Sequence, residues 1–299
     1  MANVLIHDLD AASLPQAVAF LEAHLETSLF LLSNLTGFGP RLGPSPNSGN
    51  YRWMEEDGRI IAVFCLTRRG NLLLQTGGRD DVGPLVLQAC QSEPGSIEGV
   101  VGEWVAAESV WNLLTGDIRF RPGMQSKEIL YRLFLAEASG HAGGGAIEGN
   151  GAVRRLESRD FDQSDRLTRD FLEEEGLPVQ VPLDQRRAGF LRQVNAGHAW
   201  GAFAGSELVS IAGLNACYRH VGQVGGVYTA PQHRRKGWQS RVMHALLQES
   251  RDRLELDTLI LFTGETNVGA CALYEKLGFA RIGHFGLLFG HWQNGPPPA

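Results

Sequence analysis

The sequence has few cysteines, and none stands in a metal-binding or redox motif. Its four cysteines, Cys65, Cys90, Cys217 and Cys271, are far apart in apolar surroundings, and no C-x-x-C pair occurs. Cysteines in such settings are typical of reduced, buried thiols rather than of disulfides or zinc ligands. We therefore expect no metal site. Neither Cys217 nor Cys271 has a recognisable histidine partner in the sequence, which disfavours covalent catalysis.

Long apolar runs and a basic excess are also missing. No run approaches the roughly 18 apolar residues of a membrane-spanning helix. The first ten residues, MANVLIHDLD, lack the basic region and apolar core of a secretory signal. The formal net charge of −6 disfavours a general nucleic-acid binder, which usually carries a basic excess. These absences predict a cytoplasmic protein with neither a membrane nor a nucleic acid as its partner.

Glycine is concentrated in one segment of the chain. Residues 139–151, SGHAGGGAIEGNG, contain six glycines, and ordering so many glycines costs much backbone entropy. We predict a linker here, between an N-terminal α/β domain at residues 1–138 and a second domain at residues 152–291. A flexible tail is expected at residues 292–299. The length of 299 residues suits one or two domains, each with its own core.

The two halves share a pattern of alternating helices and hairpins. Helical spacing predicts one or two helices over residues 12–32, and helices over 161–175 and 185–194. Residues 53–66 and 200–214 each consist of a tryptophan-led strand, a polar turn and a second apolar strand. This similarity favours a tandem of two related folds. Because hairpins are common, two unrelated domains remain the alternative.

The most informative stretch is Gly226–Leu247, GVYTAPQHRRKGWQSRVMHALL. It begins as a strand, which Pro231 ends because proline lacks the backbone donor that a ladder needs. A cationic turn, Arg234-Arg235-Lys236-Gly237, follows, and helical spacing begins at Trp238. The first turn of a helix has N–H groups without internal partners and carries the positive end of the helix dipole. This end of the helix therefore favours a phosphate or diphosphate, and Gly237 allows its close approach.

The spacing of this turn also carries a resemblance. Arg234-x-x-Gly237-x-Gln239 resembles the Gln/Arg-x-x-Gly-x-Gly/Ala signature of the GNAT superfamily of acyl-CoA N-acyltransferases. The preceding Val227–Pro231 is similar to the Val-Tyr-Thr-x-Pro often found there, including in the glycine N-acyltransferase-like branch. Gln239 departs from the usual Gly or Ala, so we expect a tighter or shifted approach to the diphosphate. The alternative is an ordinary strand-to-helix loop with solvated arginines.

A second motif lies downstream, at residues 262–279. It resembles the family's next motif, in which a strand and an asparagine precede a short helix with a tyrosine and then Leu-Gly-Phe. The resemblance implies that Asn267 lies beside the pantetheine arm of coenzyme A and Tyr274 beside the thioester sulfur. Tyr274 is two helical turns beyond Asn267, and a phenol there could protonate the departing thiolate. Gly278 suits a left-handed C-cap. A capped helix with a core tyrosine is the alternative.

The resemblance covers about residues 150–290 and implies a fold, an activity and a site. The fold is an α/β (α+β) GNAT-like one, a mixed and mostly antiparallel twisted sheet flanked by helices, with the first half as a degenerate copy. The activity is direct transfer of an acetyl group from the cosubstrate acetyl-CoA to a primary amine of a small molecule or peptide. Tyr274 would be catalytic. The residues expected to bind acetyl-CoA are Val227, Tyr228, Thr229, Arg234, Arg235, Lys236, Gly237, Trp238, Gln239, Ser240 and Asn267.

The general base is left unassigned by the sequence. The family often places a carboxylate on the strand before the turn, but residues 220–229, HVGQVGGVYT, contain none. Glu265 and His220 are the nearest candidates, and each fits an ordinary surface or structural role better.

Two other interpretations stay open beside the N-acetyltransferase. A non-catalytic acyl-CoA-binding or sensor protein on the same scaffold is favoured slightly by the missing base and by Gln239. A different nucleotide-binding α/β protein is weakened by the absence of G-x-x-x-x-G-K-[ST] and of G-x-G-x-x-G after a strand. The sequence is compatible with a homodimer in each case.

Overall fold

The computed structural model of the protein describes residues 4–138, 151–177 and 181–293. It divides into two compact units. The first comprises Met1–Leu130, Phe262–Asn267 and Arg281–Ala299, and the second comprises Tyr131–Leu261 and Val268–Ala280. Most of the predicted linker, residues 139–150, and the end of the predicted tail, residues 294–299, lie outside the described residues.

In the first unit, the first five described strands form an antiparallel sheet with one parallel pair, flanked by helices. The elements of this unit in chain order are β1 (Val4–Asp8), α1 (Leu14–Ala23), α2 (Leu25–Phe38), β2 (Gly49–Glu56), β3 (Arg59–Thr67), β4 (Asn71–Gln75), α3 (Gly83–Cys90), β5 (Gly99–Glu103), α4 (Trp104–Thr115) and the first part of β6 (Phe120–Phe134). Strands β1 to β5 are neighbours in chain order, and only β4 and β5 pair in parallel. The predicted hairpin of β2 and β3 is confirmed. Its turn places Asp57 and Gly58 at φ +51° and +76°, as the favoured two-residue hairpin turns require.

The second unit has the same kind of sheet. The second half of the chain contains β7 (Gly151–Arg155), α5 (Phe161–Glu174), α6 (Leu183–Ala196), β8 (Ala199–Ala204), β9 (Glu207–Tyr218), β10 (Val221–Thr229), α7 (Trp238–Asp252), β11 (Thr258–Gly264), α8 (Val268–Lys276) and β12 (Ala280–Trp292). The last three residues of β11, and β12 from Arg281 on, belong to the first unit. The strand order runs β11-β10-β9-β8-β7. Among the described pairs in this order, only β10 and β11 are parallel. The predicted helices and the predicted second hairpin are confirmed.

Among the described residues, both halves of the chain therefore repeat one order of ten elements. A strand and two helices are followed by three strands, a helix, a strand, a helix and a final strand. In both halves the parallel pair flanks the third helix. This shared order and pairing agree with the tandem interpretation of the sequence.

The final strand of each half distinguishes the compact units from the predicted domains 1–138 and 152–291. Strand β12, from the second half, pairs antiparallel with β5 in the first unit. Trp292, with which the predicted tail begins, is the last residue of β12, and its Nε1–H donates to the Ile97 carbonyl at 2.9 Å. Strand β6, from the first half, continues into the second unit from Tyr131. The compact units therefore differ from the predicted domains in their last strands.

The core of the second unit that underlies β10 is apolar. It joins the sheet to helices α5 and α6, and its buried members are Leu156, Leu167, Ala199, Phe203, Leu208, Ile211, Tyr228 and Ala230. In the described ranges, no helix has the length and hydropathy needed to cross a bilayer.

Candidate functional site

Strand β10 is irregular around three glycines, Gly222, Gly225 and Gly226. Its register with β9 shifts by one residue at Asn215, and it shifts back where Gly226 and Val227 together oppose one residue of β9. Gly226 has φ +60°, which favours glycine because it has no Cβ. Bulges bend a strand and turn backbone groups out of the ladder. The middle of β10 therefore presents its backbone differently from a regular strand.

On the side opposite β9, β10 pairs with β11 only up to Gln223, just before the bulges. The parallel register with β11 covers only Val221–Gln223 against Thr258–Ile260. Residues 224–229 of β10 extend beyond that register. An extended ligand could therefore pair with this part of β10 as an added strand does.

The turn between β10 and α7 has the backbone shape of an anion site. A short 3₁₀ turn, Pro231–His233, is followed by Arg235 at φ +62° and Gly237 at φ +78°. Within the described residues, no acceptor is present for the backbone N–H groups of residues 235–240; the first helical bond of α7 is Arg241 N–H to Gly237 C=O. Successive free N–H groups at a helix N-terminus form a concave anion-binding nest. The open space where a Cβ of Gly237 would stand leaves this nest accessible.

The cationic side chains of the turn divide into two groups. Arg234 is engaged, since its Nε donates to the Thr229 carbonyl at 2.9 Å and its Nη2 lies 2.6 Å from the Glu174 carboxylate. Hydrogen bonding to Glu174 raises the pKa of Arg234, and the guanidinium in turn lowers the pKa of Glu174. Lys236 and Arg235 are exposed; Lys236 donates to the Gln232 carbonyl at 2.9 Å. Arg234 therefore braces the turn, whereas Arg235 and Lys236 leave positive charge at its surface.

Gln239 and Trp238 both turn towards the protein. The Oε1 atom of Gln239 lies 3.0 Å from the hydroxyls of Ser210 and Thr229, and its Nε2 donates to the Ile211 carbonyl. The side chain is therefore directed at the sheet, not across the free N–H groups. Trp238 is only 9% exposed. Both contribute to the nest through their N–H groups.

Helix α8 holds Tyr274 in an aromatic setting. Tyr274 is buried, and its ring centroid lies 6.0 Å from those of Tyr131 and Phe279. The predicted C-cap is confirmed, with Gly278 at φ +95° and the Phe279 N–H donating to the Tyr274 carbonyl at 3.0 Å. Asn267 belongs to the first unit, where its N–H donates to the Gly264 carbonyl at 3.0 Å.

The described residues show no carboxylate on β10 that could act as a base. Gln223 is 1% exposed and uses its Nε2 to donate to the Val224 carbonyl, but a neutral amide does not accept a proton. His220 lies in the turn between β9 and β10, with Nδ1 at 3.0 Å from the Glu255 carbonyl. It precedes Gly226 by about 20 Å of strand, at roughly 3.3 Å per residue. Glu265 lies in the first unit.

One pair of side chains could not be found from the sequence. Cys217 Sγ lies 3.9 Å from His198 Nε2. Burial raises the pKa of the Cys217 thiol to about 11, and burial and Arg253 lower the pKa of His198. Both groups are therefore neutral at pH 7, which disfavours a reactive thiolate. In the part of the chain that the structure describes, no cluster of His, Cys, Asp and Glu is arranged to hold a metal ion.

Comparisons with known proteins agree with this geometry. The family model for the acetyltransferase (GNAT) family matches residues 158–279. No curated protein sequence matches the chain.

Solved structures resemble nearly the whole chain at low sequence identity. A Drosophila protein is 14% identical, with a TM-score of 0.69 over 99% of this chain and 100% of that one. A GCN5-related N-acetyltransferase from Sphaerobacter thermophilus is 13% identical, with a TM-score of 0.60 over 98% and 97%. A tandem GNAT protein from the clavulanic acid biosynthesis pathway is 12% identical, with a TM-score of 0.54 over 99% and 100%. The last similarity extends the shared fold to a protein with two such domains.

The family match covers the bulged strand, the cationic turn and helix α7. The fold similarity covers both halves of the chain. The predicted fold class, a mostly antiparallel mixed sheet flanked by helices and repeated, is confirmed. Residues 158–279 are therefore a domain of the acetyltransferase (GNAT) family.

Proposed function

We propose that the protein is an N-acetyltransferase that moves an acetyl group from acetyl-CoA directly to a primary amine of a small molecule or peptide. The observation that carries this proposal is the run of free N–H groups at residues 235–240, beside the exposed Arg235 and Lys236. These groups suit the diphosphate of coenzyme A in charge and in shape.

The bulged part of β10 suits the rest of the donor. Residues 226–229 lead from the bulge to the turn and span about 13 Å at roughly 3.3 Å per residue. The amide groups of an extended pantetheine arm can pair with these residues. The thioester would then lie near Gly226 and Val227, where an N–H turned out of the ladder can polarise its carbonyl.

In the reaction, the neutral amine attacks the thioester carbon. The new C–N bond forms as the C–S bond breaks, and the electron pair of the C–S bond stays on sulfur. Tyr274 is the residue proposed to give its phenol proton to that sulfur. The proton lost by the amine passes to water, since none of the described β10 side chains is a carboxylate.

The alternative is a protein on the same scaffold that binds acyl-CoA without turnover. The observation that favours it is that none of the described β10 side chains is a carboxylate.

One experiment separates the two functions. The protein is incubated with acetyl-CoA and a panel of primary amines, and free CoA thiol is measured against a no-amine control. Release of thiol that depends on one amine supports the transferase. Saturable binding of acetyl-CoA with no release for any amine supports the sensor, and no binding at all contradicts both.

A further inference from the structure

A partly buried polar cluster connects the two parts of the proposed donor site. We name Ser210, Thr229 and Gln239 the hydroxyl–amide clamp. Gln239 Oε1 lies 3.0 Å from each hydroxyl, and the hydroxyls of Ser210 and Thr229 lie 2.8 Å apart. Ser210 is fully buried. Such a closed set of polar groups is stable only when its members satisfy one another.

The orientation of the Gln239 amide follows from its partners. Nε2 faces the Ile211 carbonyl at 3.3 Å. Reversing the amide would set Oε1 against that carbonyl, two acceptors with no proton between them. The amide oxygen therefore faces the two hydroxyls, whose two protons serve two of the three contacts at a time. One hydroxyl donates to Oε1, and the other donates to Oε1 or to the neighbouring hydroxyl. Both the oxygen and the nitrogen of the Gln239 amide have hydrogen-bond partners in the protein. Turning the side chain towards a ligand would break these hydrogen bonds.

The clamp lies where α7 meets the strand pair. Gln239 is the second residue of α7, within the run of free N–H groups. Ile211 and Ser210 pair with Tyr228 and Thr229, the first two residues of β10 after the bulge. One side chain therefore ties the N-terminal turn of the helix to the end of the bulged strand.

This connection adds to the loop, to the hydrogen bond from Arg234 Nε to the Thr229 carbonyl and to the packing of the buried face of α7 on the sheet. It links the first turn of α7 directly to Thr229, so it acts between the two parts of the site. Residues 230–237 lie between them, and two of these residues have positive φ. A ligand that occupies both parts gains affinity only if their separation matches its own length. A loose loop would make the ligand order the two parts on binding, which lowers its affinity.

We infer that Gln239 and Ser210 are positioning residues that hold the diphosphate nest and the bulged strand at a fixed separation, and that neither side chain touches the donor. The inference rests on the proposed function. It changes the expected role of Gln239, whose side chain the resemblance implies to be close to the diphosphate. Gln239, the residue that departs from the motif, is then the member of the clamp that connects the helix to the strands.

The test compares whole coenzyme A with its two parts. Calorimetry measures the dissociation constants of CoA, of adenosine 3′-phosphate 5′-diphosphate and of pantetheine for the wild type and for Gln239→Ala. We expect the affinity for CoA to fall about tenfold or more, as linked binding is lost. Each part should bind the variant within about twofold of the wild type.

Two further variants make the result decisive. Ser210→Ala removes one hydroxyl and should show the same selective loss in smaller degree. Gln248→Ala changes an exposed glutamine on the same helix and should leave all three affinities unchanged. Circular dichroism and a thermal melt establish that each variant is folded.

Other results overturn the inference. Equal losses for CoA and for the nucleotide part would show that Gln239 contacts the ligand directly. Unchanged CoA affinity in a folded Gln239→Ala variant would show that the clamp does not set the separation, while the proposed function would stand. Wild-type protein that fails to bind CoA would remove the proposed function and the clamp's role together.

Discussion

The two halves of the chain use the same turn in opposite ways. In each half this turn follows the third strand of the hairpin series and leads into the third helix: residues 76–82 between β4 and α3, and residues 230–237 between β10 and α7. The first turn contains Arg79, Asp80 and Asp81, whereas the second contains Arg234, Arg235 and Lys236 and no acid. Equivalent positions in a repeated fold therefore differ in the sign of their charge.

In the first turn, the positive charge of Arg79 is neutralised by carboxylates of the same unit. Arg79 lies 2.5 Å from Glu56 and 2.6 Å from Asp81. Pro84 has no N–H to offer, and the Leu85 N–H donates to the Val82 carbonyl at 3.1 Å. In the second turn, Arg235 is exposed and the first three N–H groups of α7 have no acceptor among the described residues. The fold alone does not make an anion site; the site depends on unpaired donors and unneutralised charge.

The largest effect is expected from Gly237→Asp. This change puts a carboxylate beside the free N–H groups, where it would occupy them and repel the diphosphate. We expect CoA affinity to fall by about 100-fold or more, equal to roughly 2.7 kcal/mol of binding free energy. Calorimetric titration measures it.

The control for this change is Gly237→Asn. Asparagine has the same size, is neutral and tolerates the left-handed backbone better than most residues. It should keep CoA affinity much closer to the wild type. Equal losses in the two variants would mean that backbone strain, and not charge, explains the effect.

A second prediction compares helix α8 with its counterpart α4. Helix α4 contains no tyrosine, while α8 carries Tyr274. Tyr274→Phe should lower kcat by about 100-fold, the lower end of the usual contribution of a general acid, and should leave CoA affinity nearly unchanged. Tyr131→Phe, which removes a neighbouring phenol that donates to Glu275 at 3.1 Å, is the control. Full turnover in Tyr274→Phe would remove the phenol from the mechanism.

A third prediction concerns reversal of the charge of one arginine in each turn. Arg235→Glu should weaken CoA binding about tenfold at low salt, and less at high salt because counterions screen exposed charges. Arg79→Glu should leave CoA affinity unchanged and lower the free energy of unfolding by about 1 kcal/mol, since it breaks two partly exposed ion pairs. Loss of CoA binding in Arg79→Glu would place anion recognition in the first turn as well.

The smallest expected effect is the pH dependence of the stability that the Arg234–Glu174 ion pair gives to the second turn. Arg234 lowers the pKa of Glu174 from its ordinary value of 4.5. The pair therefore stabilises the fold above that value, and its contribution is lost as the pH falls through the lowered pKa of the folded state. Since both side chains are nearly half exposed, Glu174→Gln should cost no more than about 0.5 kcal/mol at pH 7.

Denaturant titrations of the wild type and of Glu174→Gln at several pH values measure this difference. It should disappear in acid, where the wild-type carboxyl is also neutral. A difference that persists unchanged below the lowered pKa would mean that Glu174 acts through packing and not through charge.

The sequence predicted the local features of the second half well. Helical spacing located the start of α7 at Trp238, and Gly278 was identified as a left-handed cap. These features depend on the conformational preferences of neighbouring residues, which a sequence shows directly. The short strand β1 was not predicted, since most of its residues are exposed and no apolar alternation marks it.

Long-range pairings could not be predicted in the same way. An apolar strand such as β12 does not reveal that its partner is β5, because many strands would satisfy the same pattern. The pairing of Arg234 with Glu174, and of Cys217 with His198, joins residues distant in the chain. The inward direction of Gln239 depends on hydroxyls from β9 and β10. Tertiary packing decides each of these.

The measurement that tests the central claim most directly is a crystal structure of the protein with bound acetyl-CoA. The account predicts diphosphate oxygens within hydrogen-bonding distance of the N–H groups of residues 235–240, one such ligand per chain, and none at residues 76–82. A diphosphate bound anywhere else, with those N–H groups bonded only to water, would contradict it.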